Sequence, residues 1–190
     1  HAPVSKHRKV VAATISDALD QQAVNIPDAP FLTFGNQTTT FSGMRDRALR
    51  VAAGFRARGL PANARVAMLS VNRPELIEIA LAAPYAGLIN VPLNVYLKGE
   101  FLRHQLANSA AYAIAVDAQG LQELLPVLAE LPDLKIIILL DDGLTVPNFA
   151  GTVLHYRDLA VDASGFVPHR CGPLDIYQIL YTSGTSGPSK

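Results

Sequence analysis

The last nine residues of the chain combine hydroxyl side chains, two glycines and a lysine, from Thr182 to Lys190. Glycines let the backbone approach an anion and expose successive N–H groups, hydroxyls donate further hydrogen bonds, and lysine adds a mobile positive charge. This composition suits a loop that wraps phosphate. A surface turn has a similar composition, so composition alone leaves both interpretations open.

The Walker A loop, G-x-x-x-x-G-K-[ST], fits this segment less well. Gly184 and Lys190 have the required separation, but Ser189 stands where the second glycine belongs. Pro188 would also remove one backbone N–H donor from the phosphate cradle. A P-loop phosphotransferase is therefore a weaker alternative, and it would require Ser or Thr directly after Lys190.

Residues 179–190 resemble, position by position, the phosphate-binding signature of the acyl-adenylate-forming (AMP-binding) superfamily. The commonest form of that signature is Tyr-Thr-Ser-Gly-Thr-Thr-Gly-x-Pro-Lys. In this chain Ser186 replaces the second Thr, and Pro188-Ser189 stands where x-Pro is usual. Both departures preserve the hydroxyl, the glycines and the lysine.

The resemblance extends over effectively the whole chain. Residues 38–69 resemble the family's opening strand, helix and strand, although residues 61–64 lack the second Gly and the Asp of the usual pattern. Further matches follow in family order at Asn72, Pro74, Glu75, Ala86, Gly87, Val91, Pro92, Leu93, Asn94, Glu100, Leu106, Ser109 and Ala110. The run Pro92-Leu93-Asn94 favours the acyl-CoA synthetase branch over peptide-synthetase domains.

The resemblance implies an ATP-dependent acid–thiol ligase, an acyl- or aryl-CoA synthetase that forms an acyl-adenylate and then a thioester with coenzyme A. It implies no catalytic residue within this chain. It assigns the β- and γ-phosphates of ATP to a set of cofactor-binding residues in the loop: Thr182, Ser183, Gly184, Thr185, Ser186, Gly187 and Lys190. Residues that bind Mg²⁺ and coenzyme A are expected outside this chain.

Two other functions stay open at this point. One is an adenylating ligase that loads a carrier protein, and the other is a non-catalytic nucleotide-binding or interaction module. The resemblance further implies that residues 1–190 are the N-terminal portion of an adenylating domain that ends at the loop 182–190. The expected partners are then a carboxylic acid substrate and the remainder of the synthetase, and we expect the isolated chain to be inactive.

A strand and a helix must position such a loop, and the sequence alternates between the two. The pattern predicts an α/β fold with a layered parallel or mixed sheet and flanking helices. Helices are predicted at 14–24, 43–58, 74–85, 99–109 and 121–131, and strands at 65–70, 88–91, 112–116, 135–140 and 176–180. Ahead of these, strands at 31–34 and 38–41 around Gly35-Asn36 predict a hairpin. Residues 141–173 are predicted to be a long connection with one short helical stretch near 156–160.

Local signals predict where several elements begin and end. Ser42 is predicted to cap the second helix, and Gly59 to end it in the left-handed conformation. The pair Asp141-Asp142 followed by Gly143 predicts a turn after a strand. The acidic pairs Asp17/Asp20 and Glu75/Glu78, each three residues apart, are expected on solvated helix faces.

The overall composition excludes several classes of protein. Sixteen basic residues balance sixteen acidic ones in the 190 residues, so no net charge would attract nucleic acid or an anionic membrane. Hydrophobic residues make up 49% and charged residues 17%, which argues against disorder. The longest aliphatic run, 136–140, is far shorter than the roughly 20 residues of a membrane span. We therefore expect neither a transmembrane segment nor a signal peptide, and a cytoplasmic location.

The single cysteine, Cys171, excludes an internal disulfide and fits a reducing compartment. His169 lies two residues before it. Two ligands are too few for zinc without distant help, and the other four histidines show no ligand spacing. The sequence therefore predicts no metal site.

Overall fold

The computed structural model describes residues 12–182, which form a parallel sheet with helices on both faces. The helices are α1 (Ile15–Asn25), α2 (Phe41–Ala57), α3 (Pro74–Ala86), α4 (Gly99–Asn108) and α5 (Ala118–Leu124), with short 3₁₀ helices at Leu125–Glu130 and Tyr156–Asp158. The strands are β1 (Pro30–Phe34), β2 (Gln37–Thr40), β3 (Arg65–Leu69), β4 (Ile89–Pro92), β5 (Ala111–Val116), β6 (Ile136–Leu139) and β7 (Thr152–His155). The predicted α/β class is confirmed.

The five strands of the main sheet lie in the order β4-β3-β5-β6-β7, and every neighbouring pair is parallel. Crossovers between parallel strands place helices on the faces of a sheet, so its inner strands are largely apolar. All four residues of β6 are buried. The hairpin predicted around Gly35 is present as β1 and β2, which pair antiparallel in a separate two-stranded sheet.

Each face of the main sheet is covered by its own apolar cluster. Alternate residues of a strand point to opposite faces, so Val66 and Met68 belong to one cluster and Ala67 and Leu69 to the other. The first cluster contains side chains of α1, α2 and α3, and the second contains side chains of α4 and α5. The sheet is therefore the middle layer of three.

The second helix begins at Phe41, two residues before its predicted start, and the prediction of Ser42 as its cap was wrong. Thr40 is the N-cap of α2, and its Oγ1 accepts a hydrogen bond from the N–H of Gly43 at 3.2 Å. Ser42 lies inside α2 and donates its hydroxyl to the carbonyl of Pro27 at 2.9 Å. The helix ends as predicted, with Gly59 at φ +72°.

Two glycines let neighbouring elements pack closer than a side chain would allow. A Cβ on Gly54 of α2 would lie 1.7 Å from the carbonyl oxygen of Leu159, in the turn that follows β7. A Cβ on Gly120 of α5 would lie 2.2 Å from the carbonyl oxygen of Leu69, at the end of β3. Both are backbone contacts, so the elements must separate if either glycine gains a side chain.

Two parts of the predicted element pattern differ from the structure. The helix predicted at 121–131 divides into α5 and the 3₁₀ helix from Leu125, where Pro126 cannot donate an α-helical hydrogen bond. The connection predicted at 141–173 contains the strand β7, which pairs with β6. Only one of its four residues, Leu154, is buried, so β7 lacks the apolar run that marks the other strands.

Within residues 12–182, none of the helices has both the length and the apolar character needed to cross a bilayer.

Candidate functional site

The edge segment, residues 176–181, lies at the edge of the main sheet beside β4. Gln178 forms a parallel bridge with Asn90. The N–H of Asn90 donates to the carbonyl of Tyr177 at 3.0 Å, and the N–H of Ile179 donates to the carbonyl of Asn90 at 2.8 Å. The predicted strand at 176–180 is thus present as this single bridge. Because the pairing is parallel, the segment leaves the sheet at the edge where β3 and β4 end, which is where open α/β sheets bind ligands.

Tyr181 fixes the end of this segment against α4. Its hydroxyl donates toward the carbonyl of Gln105, at 3.1 Å, and Oδ1 of Asn108, at 2.8 Å. Burial raises the pKa of the Tyr181 phenol, so the hydroxyl keeps its proton and remains a donor. Ile179 and Tyr181 both pack against the second apolar cluster. The residue directly before the loop is therefore held by both packing and hydrogen bonding.

Thr182 is the one predicted phosphate-binding residue within the described part of the chain. It is exposed and directly follows Tyr181 at the carboxyl edge of the sheet. The other predicted residues, Ser183, Gly184, Thr185, Ser186, Gly187 and Lys190, lie outside the described residues. An exposed hydroxyl at this edge, leading into a run of hydroxyls, glycines and a lysine, fits the donor set that a polyphosphate needs.

Asp117 fixes the end of β3 at the same edge. This buried residue caps α5, and its Oδ1 accepts from the N–H of Gly120 at 2.7 Å. Its Oδ2 accepts from Oγ of Ser70 at 2.8 Å and from the N–H of Val71 at 2.9 Å. One carboxylate therefore joins the start of α5 to the end of β3, and no sequence pattern indicates this connection.

Arg73 joins the start of α3 to the end of β6. Its guanidinium donates to both oxygens of Glu75, to Asp141 at 2.7 Å and to the carbonyl of Leu140 at 3.0 Å. Burial opposes ionisation of Glu75, yet the Arg73 guanidinium keeps the pKa of this carboxyl below its ordinary value. The predicted turn after Asp141 is confirmed, with Gly143 at φ +74°. The acidic pair in this turn thus has a structural role, since Asp141 binds arginine.

Glu78 does not lie on a solvated face, and that expectation was wrong. It is 6% exposed, and its carboxylate accepts from Nη1 of Arg47 at 2.8 Å and from the hydroxyl of Tyr156 at 2.5 Å. Burial and the Glu78 carboxylate together raise the pKa of Tyr156. Asp20, from the other pair, accepts from Arg45 and from the hydroxyl of Tyr85. The hydrogen bonds of Glu78 and those of Asp20 both connect helices that pack in the first cluster.

His169 and Cys171 have a third potential metal ligand beside them. One potential ligand atom from each of His169, Cys171 and Asp175 lies within 4.8 Å of the corresponding atoms of the other two residues. Cys171 is half-buried, and the other two side chains are exposed. The short spacing of His169 and Cys171 indicates a pair of potential ligands. Asp175 lies beside them because of a turn, which the spacing does not predict.

Two curated relatives align with nearly the whole chain. Tyrocidine synthase 3 of Brevibacillus parabrevis is 29% identical over 178 residues, covering 93% of this chain and 2% of that protein. A medium/long-chain-fatty-acid–CoA and 3-oxocholest-4-en-26-oate–CoA ligase of Mycolicibacterium smegmatis is 30% identical over 184 residues, covering 93% of this chain and 32% of the ligase. The chain therefore spans about a third of the length of the ligase and a small part of the synthase.

A solved structure shows the same fold. The o-succinylbenzoate CoA synthetase MenE from Bacillus subtilis, in complex with its acyl-adenylate intermediate, superimposes with a TM-score of 0.70 at 21% identity. The match covers 90% of this chain and 31% of that one.

The sequence pattern of the AMP-binding enzyme family matches residues 19–190, which include every described strand and most of the first helix. The match also includes the edge segment and the whole of the loop that follows it. The parallel sheet, the position of Thr182 at its carboxyl edge and this match lead to one conclusion: the chain belongs to the AMP-binding enzyme family.

Proposed function

We propose that residues 1–190 are the N-terminal portion of the adenylating domain of an ATP-dependent carboxylic acid–CoA ligase, ending at the phosphate-binding loop 182–190. The observation that carries this proposal is the edge segment, which delivers Thr182 to the carboxyl edge of the sheet in a chain of this family. The CoA ligase among the relatives and the acyl-adenylate complex of the similar fold support it.

The reaction has two steps. A carboxylate oxygen attacks the α-phosphorus of ATP, which forms the acyl-adenylate as pyrophosphate leaves. The thiol of coenzyme A then loses its proton to solvent and attacks the acyl carbon, a thioester forms, and AMP leaves with the bonding electron pair. The first step brings two anions together, so positive charge and aligned donors are needed to lower their repulsion and to orient the leaving pyrophosphate.

The loop supplies that charge and those donors. Thr182, Ser183, Gly184, Thr185, Ser186, Gly187 and Lys190 hold the β- and γ-phosphates in this proposal. Hydroxyls and backbone N–H groups donate to phosphate oxygens, and the Lys190 ammonium neutralises charge on the leaving group. These residues bind and orient ATP and move no proton. Mg²⁺ and coenzyme A are bound by residues outside 1–190, and the substrate acid is a fatty or aromatic carboxylic acid.

The test is ATP–pyrophosphate exchange with a pool of fatty and aromatic acids, on the longest natural reading frame that contains this sequence. Exchange should require an acid and should fall by about 100-fold in Lys190→Ala, the order of effect when one donor to developing charge is removed. Lys98→Ala is the matched control, because Lys98 is exposed at the start of α4 and should leave exchange unchanged. The isolated 190-residue chain should show no exchange.

Other outcomes separate the alternatives. Exchange followed by transfer to a carrier protein, and not to free coenzyme A, would identify a carrier-loading ligase. ATP binding without exchange for any acid in the pool would identify a non-catalytic nucleotide-binding module. Exchange that is equal in Lys190→Ala and in the unaltered protein would exclude Lys190 from the phosphate site.

A further inference from the structure

His169, Cys171 and Asp175 present three different metal-binding atoms to one small volume. An imidazole nitrogen, the thiol sulfur and a carboxylate oxygen all lie within 4.8 Å of one another. Zinc binds these three atom types at about 2.0–2.3 Å. Two atoms bound to one zinc ion therefore lie at most about 4.6 Å apart, so the three atoms are close to the spacing of a shared site.

The backbone around these residues is already fixed by hydrogen bonds. Asp175 and Gly172 close a tight turn, in which Oδ2 of Asp175 accepts from the N–H of Gly172 at 2.7 Å and the N–H of Asp175 donates to the carbonyl of Gly172 at 3.1 Å. This turn brings the carboxylate back beside Cys171. The N–H of His169 donates to the carbonyl of Tyr85 at 2.7 Å, near the end of α3.

The surroundings favour a cation. Cys171 lies against the end of α3, with Sγ 3.4 Å from the carbonyl oxygen of Pro84. Asp175 and Asp17 both place negative charge near its sulfur. Arg170, which lies between His169 and Cys171 in the sequence, is 3.9 Å from Asp20, which competes for its charge. A bound divalent ion would balance the negative charge of Asp175 and Asp17.

A cavity of about 210 Å³ adjoins two of the three residues. Cys171 and Asp175 line it together with Thr14, Pro84 and Tyr177. A water molecule occupies about 30 Å³ in the liquid, so the cavity has room for water as a fourth ligand.

We propose that His169, Cys171 and Asp175 bind one zinc ion, with water as the fourth ligand. A thiolate and an imidazole in the ligand set favour zinc over magnesium or calcium, which prefer oxygen. Binding displaces the thiol proton to solvent and leaves a Zn–S bond. The ion would link residues 169–175, which precede the edge segment, to the end of α3. This site is independent of the proposed ligase activity.

Cobalt(II) provides a specific test, because a cysteine thiolate bound to cobalt gives a charge-transfer absorption band. Cys171 is the single cysteine in the chain, so any such band reports on this residue. His1→Ala and His7→Ala are introduced as a background, so that the N-terminal histidines cannot contribute. The band should saturate at one cobalt per chain, disappear when zinc is added, and be absent in Cys171→Ser.

The other two ligands are tested in the same background. Loss of an outer-sphere partner lowers metal affinity by about 10- to 100-fold. His169→Ala and Asp175→Asn each remove a direct ligand, so each should lower the affinity for cobalt by more than this. Asn retains an oxygen acceptor for the N–H of Gly172, so the turn is preserved. His104→Ala, on α4, is the matched control and should leave the affinity unchanged. Absence of the band, saturation at one cobalt per two chains, or a band that His169→Ala and Asp175→Asn leave unchanged would overturn the proposal.

Discussion

Asp141 connects three segments at the carboxyl edge of the sheet. Its carboxylate accepts from Nη1 of Arg73 at 2.7 Å and from the N–H of Ala118 at 2.9 Å. These two hydrogen bonds, the first being the stronger influence, lower the pKa of Asp141 below its ordinary value of 3.8. A carboxyl whose pKa is lower in the folded protein stabilises the fold at pH values above its unfolded pKa. That stabilisation is lost as the pH falls through the lower, folded value.

We therefore expect Asp141→Asn to reduce the free energy of unfolding at neutral pH, and the difference from the unaltered protein to shrink as the pH falls below about 3.8. Urea denaturation between pH 7 and pH 3 measures this difference. Asp142→Asn is the control, because its exposed ion pair with Arg157 should contribute little. A difference that grows toward acid pH would contradict the assignment.

At the level of single residues, the sequence predicts groups that are close in the chain better than groups that the fold brings together. The predicted phosphate-binding residues lie in one contiguous segment, so residue types and spacing were sufficient to propose them. Glu78 was misplaced because its partners, Arg47 and Tyr156, come from distant parts of the chain. Asp175 was missed as a neighbour of His169 for a different reason, since a turn rather than a regular spacing brings it back.

Helix α2 contains two glycines with different surroundings, which provides a matched pair. A Cβ on Gly54 would meet the Leu159 carbonyl oxygen at 1.7 Å, whereas a Cβ on Gly43 would have only ordinary contacts, at 3.4 Å or more. Gly54→Ala should lower the free energy of unfolding by about 1–3 kcal/mol or more, because α2 and the turn after β7 must separate. Gly43→Ala should be neutral or stabilise by up to about 1 kcal/mol, because alanine favours a helix.

Chemical denaturation of the two variants tests this packing. Equal stability of Gly54→Ala and Gly43→Ala would show that α2 does not approach Leu159 as closely as described.

Regular elements were predictable where the apolar pattern was strong. Strand β6 has four consecutive buried residues and was predicted within one residue of its observed ends. Strand β7 was missed because it is largely exposed at the edge of the sheet, and its position depends on pairing with β6. The apolar pattern of the sequence therefore does not predict a strand that is defined by its hydrogen bonds to a neighbouring strand rather than by burial.

At the scale of the whole molecule, residues 12–182 contain two apolar clusters that share one sheet, and we expect them to unfold together. Ile137 and Ile138 are adjacent in β6 and fully buried, but they belong to opposite clusters. Ile137→Ala and Ile138→Ala should each lower the free energy of unfolding by about 2–5 kcal/mol. Because both faces belong to the same strands, each variant should keep a single transition at a lower denaturant concentration.

Circular dichroism and tyrosine fluorescence measured together would test this cooperativity. Val167→Ala is the control, since Val167 is 83% exposed and its loss should change stability by less than about 0.5 kcal/mol. Two separate transitions in either isoleucine variant would show that the clusters unfold independently.

The single bridge between Asn90 and Gln178 has an entropic consequence. Ordering one residue costs about 1–2 kcal/mol of backbone conformational entropy, and one hydrogen bond returns about 1 kcal/mol. The two backbone hydrogen bonds of the bridge therefore cannot offset the ordering of residues 176–181 by themselves. The balance comes from the packing of Ile179 and Tyr181 against the second cluster and from the hydrogen bonds of the Tyr181 hydroxyl, so side-chain contacts supply most of the free energy that orders the segment before Thr182.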